Sequence, residues 1–313
     1  MFSYERLRRH PRDLQRFTGL KDEQFARVLG AVEPVYAEGE KERLSSEERQ
    51  RAIGGGRRFT LSVADRLLMT LMYLRLYVTQ SLLGYMFNLD DSNVNREINQ
   101  RMLKVLKEVL PTPMQEQLLT VQTHAKKSKR ISTLSELLEA YPEFKEVLLD
   151  ATEQEVPKPK DKLKRKNRYS GKKKRHTLKT QVTVSHHLVL HLSNHVPGSV
   201  HDYTLLRATG VMHQLKGRKA RVDKGYEGIE EAYPDVDIDK PIRAQRNRPL
   251  TLVEKVYNRI LNSLRIPVEH TLAFLQKYGS LAGVYRNRTH RYDDTFMVVA
   301  GLSNFRILDK LAW

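Results

Sequence analysis

Residues 146–151 read EVLLDA, a short apolar run that ends on a carboxylate, Asp150. A run of this length, too short for a core helix and closed by a charge, predicts a buried central strand with an acid at its end. The fold class follows from what lies on either side. Upstream the period is helical. Ser62 with Asp65 forms a capping box, and Leu67, Leu68, Leu71, Met72, Leu74 and Leu76 supply the apolar face of a first helix. Thr79 caps a short second helix through Leu82, Leu83, Met86 and Phe87, and Asn88 to Asp90 makes a tight polar connection. Ser92 then caps a third helix, with Val94, Ile98, Met102, Val105, Leu106 and Val109 inward and Asn93, Asn95, Arg96, Asn99 and Arg101 outward. Pro111 and Pro113 end it.

Downstream the period becomes that of strands. Leu178 to Ser185 and His187 to Ser193 are β-rich and meet at His186, which predicts a hairpin. Ala220 to Asp223 is another short strand closed by a carboxylate. Thr251 with Glu254 caps a long helix through Val256, Ile260, Leu264, Val268 and Leu275, with Pro267 as a kink or restart. The whole is an all-α segment followed by an α/β domain. The expected boundaries are an N-terminal helical segment (1–58), ending at the Gly54–Arg58 break, a helical domain (59–120), a linker (121–143) and the α/β domain (144–313).

The composition narrows the partners. Across 313 residues, 55 Lys and Arg face 37 Asp and Glu, a formal charge of +18. Such self-repulsion calls for a polyanion, and nucleic acid fits. Twelve Lys and Arg residues lie between Lys158 and Lys179, in a stretch too polar to build a core. Among them Lys164, Arg165, Lys166, Arg168, Lys172, Lys173, Lys174 and Arg175 are candidate phosphate contacts, salt-sensitive and indifferent to sequence. Cysteine is absent, which excludes a disulfide framework, a thiol nucleophile and a cysteine zinc site. With no apolar run near the roughly 18 to 20 residues of a bilayer span, the chain is expected to be soluble, cytoplasmic and free of membrane.

Helix, short helix, turn and helix, with Asn and Arg at the start of the last element, is the layout of a helix-turn-helix reader of the major groove. The same pattern also suits a plain helical bundle with a solvated polar face. In the second domain Asp150, Asp223 and Glu269 occupy two strand ends and a late helix. Such oxygen ligands suit hard divalent cations, and two such ions roughly 3.5 to 4 Å apart serve phosphoryl transfer. Glu153 is at most an outer partner of that group. His201 and Asp202 are read as a helix start, with Asp202 the N-cap acceptor rather than a metal ligand.

Five segments, LLDATEQEVPKP (148–159), RYSGKKKRHTLKTQ (168–181), VPGSVHDYTLL (196–206), RVDKGYEG (221–228) and RIPVEHTLAFLQK (265–277), resemble successive blocks of insertion-sequence transposases of the DDE type, in the insertion-sequence-five-like group. The segment SVADRLLMTLMYLRLYVTQSLLGYMF (62–87) resembles the helix-turn-helix region that accompanies that core, and the resemblance covers nearly all of residues 60–305. It implies an RNase H-like core with a mixed sheet flanked by helices. It also implies a catalytic and metal-binding triad of Asp150, Asp223 and Glu269, holding Mg²⁺ or Mn²⁺, with two ions expected. The partners implied are double-stranded DNA, both element ends and target, and at least a second copy of the chain in the DNA complex, in a prokaryotic, nucleoid-associated setting. The family's Tyr-Arg-Glu-Lys signature is met by Arg265 and Glu269, whereas Asn262 holds the Tyr position and Gln276 the Lys position. Lys277 next to it is then the candidate DNA-phosphate contact, together with Arg265. Two rival functions use the same features: a DNA-binding regulator that has lost catalysis, and a nuclease that cuts without joining.

Overall fold

A computed structural model describes residues 2–45, 61–115, 133–142, 144–244 and 246–311. The Gly54–Arg58 break and most of the expected linker, 121–132 and 143, lie outside the described residues. In chain order the helices α1 (Tyr4–Leu7), α2 (Pro11–Thr18), α3 (Asp22–Leu44), α4 (Val63–Leu76), α5 (Gln80–Phe87), α6 (Asp91–Arg96) and α7 (Leu103–Val109) come first. Then follow β1 (Met114–Gln115), α8 (Leu134–Ala140), β2 (Glu146–Glu155), α9 (Lys162–Arg168), β3 (Tyr169–Ser170), β4 (Arg175–Ser185), β5 (Leu188–Leu192) and β6 (Val196–Pro197). The chain closes with α10 (Asp202–Thr209), β7 (Lys219–Arg221), α11 (Ile229–Ala232), β8 (Asp237–Asp239), α12 (Leu252–Leu275), α13 (Gly279–Ala282) and α14 (Tyr292–Leu311). No described helix is long and apolar enough to cross a membrane.

The chain forms two compact units. The first joins Met1–Thr112 with Gln276–Gly283 and Asn287–Trp313, and the second is Pro113–Leu275 with Val284–Arg286. This differs from the sequence reading, which ran the second domain to residue 313. Local periodicity carries no sign that α13 and α14 return to the helical unit.

In the first unit α4 is buried all round from Arg66 to Leu74, so it is the central helix. Ser62 caps it, accepting from the N–H of Asp65 at 3.1 Å, and Thr79 caps α5 by accepting from Leu82. The turn that follows α5 needs a glycine. Leu89 N–H donates to the carbonyl of Gly84, and a Cβ on Gly84 would come within 2.5 Å of the Leu89 oxygen. Asn88 then leaves the helix at φ 54°, the left-handed region that asparagine tolerates.

The third helix of the sequence reading is not one regular helix. It starts at Asp91 with Asp90, not Ser92, at the N-cap, and a π-helical stretch, Glu97–Met102, separates α6 from α7. The wide turn carries Glu97, Ile98 and Asn99 together into the interior. Buried Glu97 is satisfied there: the Tyr36 hydroxyl donates to it at 2.8 Å, and Arg66 and Arg101 pair with it.

The second unit is built on a sheet ordered β1-β5-β4-β2-β7-β8, eight-stranded among the described residues when β3 and β6 are included. β2, β4 and β5 are antiparallel neighbours, while β7 and β8 run parallel to β2. Val147 and Leu149 of β2 are fully buried, as the apolar run predicts. The β4–β5 turn uses His186 and His187 at φ 46° and 67°, the paired positive angles that two-residue hairpins favour. Three antiparallel strands, then two parallel strands on the far side of the first, with helices in the crossovers, make this an α/β RNase H-like core.

Candidate active site

β2 and β7 are parallel, and Leu148 stands beside Arg221 in the ladder. Two residues further along each chain come Asp150 and Asp223. An interval of two returns a side chain to the same face of a strand, and both carboxylates reach the guanidinium of Arg265. β2 continues to Glu155, so Asp150 sits within the strand and not at its end. Asp223 follows the last residue of β7 by two.

A cation already stands between them. Arg265 of α12 donates from Nη1 to Asp223 Oδ1 at 3.2 Å, and its Nη2 lies 3.8 Å from Asp150 Oδ2. Its side chain is 10% exposed, against 25% for Asp150 and 38% for Asp223. Burial pushes the Asp150 carboxyl above its ordinary range, while the Ala151 N–H, Arg265 and Lys172 oppose that shift and Asp223 adds to it. Glu269 is exposed one turn beyond Arg265 on α12. Among the described residues no three Asp, Glu or His side chains gather closely enough to hold a metal ion. The two aspartates nevertheless converge on a single positive group, and their donors are the oxygens a hard divalent cation prefers.

Residues that sequence reading passed over complete the setting. Tyr226 is 1% exposed and its hydroxyl has no hydrogen-bond partner among the described residues. Burial raises its pKa, and the neighbouring Asp202, Asp150 and Asp223 add to the shift. It lies within the RVDKGYEG block, where the signal was available. Lys179, counted with the basic run, is instead buried, pairing with Asp202 at 2.8 Å and with Glu153 at 3.6 Å. Asp202 is therefore the first residue of α10, held by an ion pair; His201 takes the N-cap and no side chain caps the helix. Glu153 also accepts from the Thr177 hydroxyl, which turns it toward β4.

The rest of the basic run is largely solvent-facing. No residue of α9 is buried, and Lys164, Lys166, Lys172, Lys173 and Lys174 are exposed. Arg165 donates to the carbonyls of Pro159 and Lys160, Arg168 is half-buried, and Arg175 pairs with Glu155. In the first unit Asn93 is exposed, Asn95 donates to Gln80, and Arg96 folds back onto Ser92. Asn99 is corrected: it is 8% exposed and accepts from Asn287 at 2.8 Å, turned inward by the π-helical stretch. Lys277 follows α12 and belongs to the first unit.

Residues 149–304 match the family described as DDE superfamily endonuclease, and residues 59–112 match the helix-turn-helix of DDE superfamily endonuclease. A probable transposase for insertion sequence element IS702, from Microchaete diplosiphon, is 30% identical over 262 residues, covering 82% of this chain and 84% of the relative. With Asp150 on β2 and Asp223 just past β7 facing one guanidinium, in an RNase H-like core with a helix-turn-helix ahead of it, the chain belongs to the DDE-type insertion-sequence transposases.

Proposed function

We propose that the protein binds the ends of its element as double-stranded DNA and catalyses divalent-metal-dependent strand cleavage and transfer. The observation that carries the reading is the convergence of Asp150 and Asp223 on one cation, Arg265. Asp150, Asp223 and Glu269 would hold the metal, Mg²⁺ or Mn²⁺ and two ions where both oxygens of the reaction are served. Bound there, such ions supply charge stabilisation to the attacking and leaving oxygens of an in-line displacement.

The chain's own residues do the rest. Asp150, on a central strand, and Asp223, beside it, fix where the reacting phosphate must lie. Glu269 is on the solvent side of α12, where incoming DNA could meet it. Arg265 answers the paired negative charge before DNA arrives. The exposed lysines from Lys164 to Lys174 hold the backbone near β2, with Lys277 as a further phosphate contact. The exposed start of α6, around Asn93, reads base edges in the major groove. Joining two ends requires at least two copies of the chain in the complex.

The test replaces Asp150, Asp223 and Glu269 by Ala one at a time. Each variant should lose Mn²⁺- or Mg²⁺-dependent cutting of an element-end duplex while its gel-shift affinity stays near wild type. Cutting at wild-type rate by Asp223→Ala would remove Asp223 from the set and leave Asp202 as the second acid.

A further inference from the structure

The first unit holds a hollow lined largely by arginine and amide side chains. A cavity of about 430 Å³ is lined by Ser92, Asn95 and Arg96 of α6, by Gln100, and by Asn287, Arg288 and Arg291 from a segment some 190 residues later in the chain. Three arginines line it and, among the described residues, no carboxylate does. Opposed charges are the usual fate of clustered arginines, since three guanidinium groups around one hollow repel one another unless an anion enters.

The hollow is held in shape by bonds of Asn287 and of the Arg288 and Arg291 backbone, not of the Arg288 and Arg291 guanidinium groups. Asn287 donates from Nδ2 to Asn99 at 2.8 Å and from its backbone N–H to the Tyr77 hydroxyl at 3.3 Å. Its own Oδ1 accepts from the Arg288 N–H at 2.8 Å. Thr289–Arg291 then forms one 3-10 turn, closed from Arg291 N–H to the Arg288 carbonyl. On the facing wall, Arg96 lies back along α6, donating to the Ser92 carbonyl and to the Ser92 hydroxyl. The inward turn of Asn99 thus has a use: it anchors the late segment against the helix-turn-helix.

We propose that Arg288 and Arg291, outside the helix-turn-helix itself, form with Arg96 a cradle for a backbone phosphate of the DNA strand that flanks α6. The guanidinium fork suits phosphate oxygens in two-point contacts. Asn95 and Ser92 add neutral donors at the rim. The cradle positions the duplex and carries no base information, leaving Asn93, which does not line the cavity, to face the groove. The inference rests on the helix-turn-helix reading of residues 59–112.

The experiment compares wild type, Arg288→Ala/Arg291→Ala and Asn93→Ala on a duplex carrying the element end and on a scrambled duplex, over a series of salt concentrations. The double variant should weaken on both duplexes by the same factor, and the slope of log affinity against log salt should flatten by about 0.9 for each phosphate no longer neutralised. An unchanged slope in a variant with an unchanged thermal transition overturns the cradle, as does a weakening confined to one of the two sequences. Should the double variant fail to fold, Arg288→Ala alone, at an exposed position, carries the same test. Loss of discrimination in Asn93→Ala with an unchanged slope in the arginine variant overturns the cradle and leaves the helix-turn-helix reading standing. No change in either variant overturns both.

Discussion

Arg265 shows how much of the site depends on one side chain. Its guanidinium is nearly buried, Nε has no hydrogen-bond partner among the described residues, and its two other nitrogens face carboxylates on β2 and just past β7. Replacing it by Gln keeps a polar group there but removes the counter-charge. The metal-free Arg265→Gln protein should then melt at a lower temperature than wild type. The loss should fall below the about 3–5 kcal/mol of a fully buried broken pair, because the Asp223 side chain is 38% exposed. Added Ca²⁺, a divalent ion tested without turnover, should raise the variant's thermal transition more than that of wild type, since it restores the missing positive charge. Equal shifts in both proteins would mean that the aspartates do not share a cation. The two aspartates were legible from sequence because each closes or follows an apolar strand run. The part of Arg265 as their common partner was not, since it depends on α12 lying across the sheet, and neither were the Lys179–Asp202 and Tyr226 contacts, which join residues far apart in the chain.

At the scale of elements, the hairpin of β4 and β5 was read from alternation and a polar turn, and the structure has it. What alternation leaves out is the chemistry of the buried face. His191 of β5 is 1% exposed, neither ring nitrogen has a hydrogen-bond partner among the described residues, and burial lowers its pKa from 6.5 to about 4. A base with a depressed folded pKa is neutral in the native state, while the unfolded chain takes up a proton below about 6.5. The unfolded state therefore binds more protons between those values, and stability falls as pH drops from about 6.5 toward 4. The loss across that window is on the order of 3 kcal/mol for a shift of this size. His191→Leu should flatten this part of the stability-pH curve, measured by urea unfolding at several pH values. A curve as steep in the variant as in wild type would assign the acid sensitivity to other groups. The π-helical stretch was missed for a similar reason: Glu97 to Met102 fits an amphipathic α-helical pattern, and only the burial of Glu97 and Asn99 distinguishes the wider turn.

The arrangement of the whole chain was the least legible level, because no local pattern says that residues after α12 return to the N-terminal helices. In the first unit α14 packs against α7 and buries Phe296, Met297, Val298, Val299 and Leu302. Lys107 pairs with Asp294, Asn304 donates to the Pro111 carbonyl, and Gln24 donates to Asp309, which also pairs with Arg27. Each large apolar side chain of that set contributes roughly 1.5–3 kcal/mol by burial, and a domain's net stability is only about 5–15 kcal/mol. Removing α14 therefore takes away an amount comparable to the whole margin. A fragment ending at Thr112, which still contains every residue of the helix-turn-helix match, should show no cooperative thermal transition and no duplex binding. The same fragment joined through a flexible Gly/Ser linker to residues 276–313 should recover both, because the missing wall of the core is restored without the sheet. If the short fragment melts cooperatively and binds DNA as well as the joined one, the helix-turn-helix is self-sufficient and α14 only decorates it. If the joined fragment also fails to fold, the first unit depends on the second for its stability.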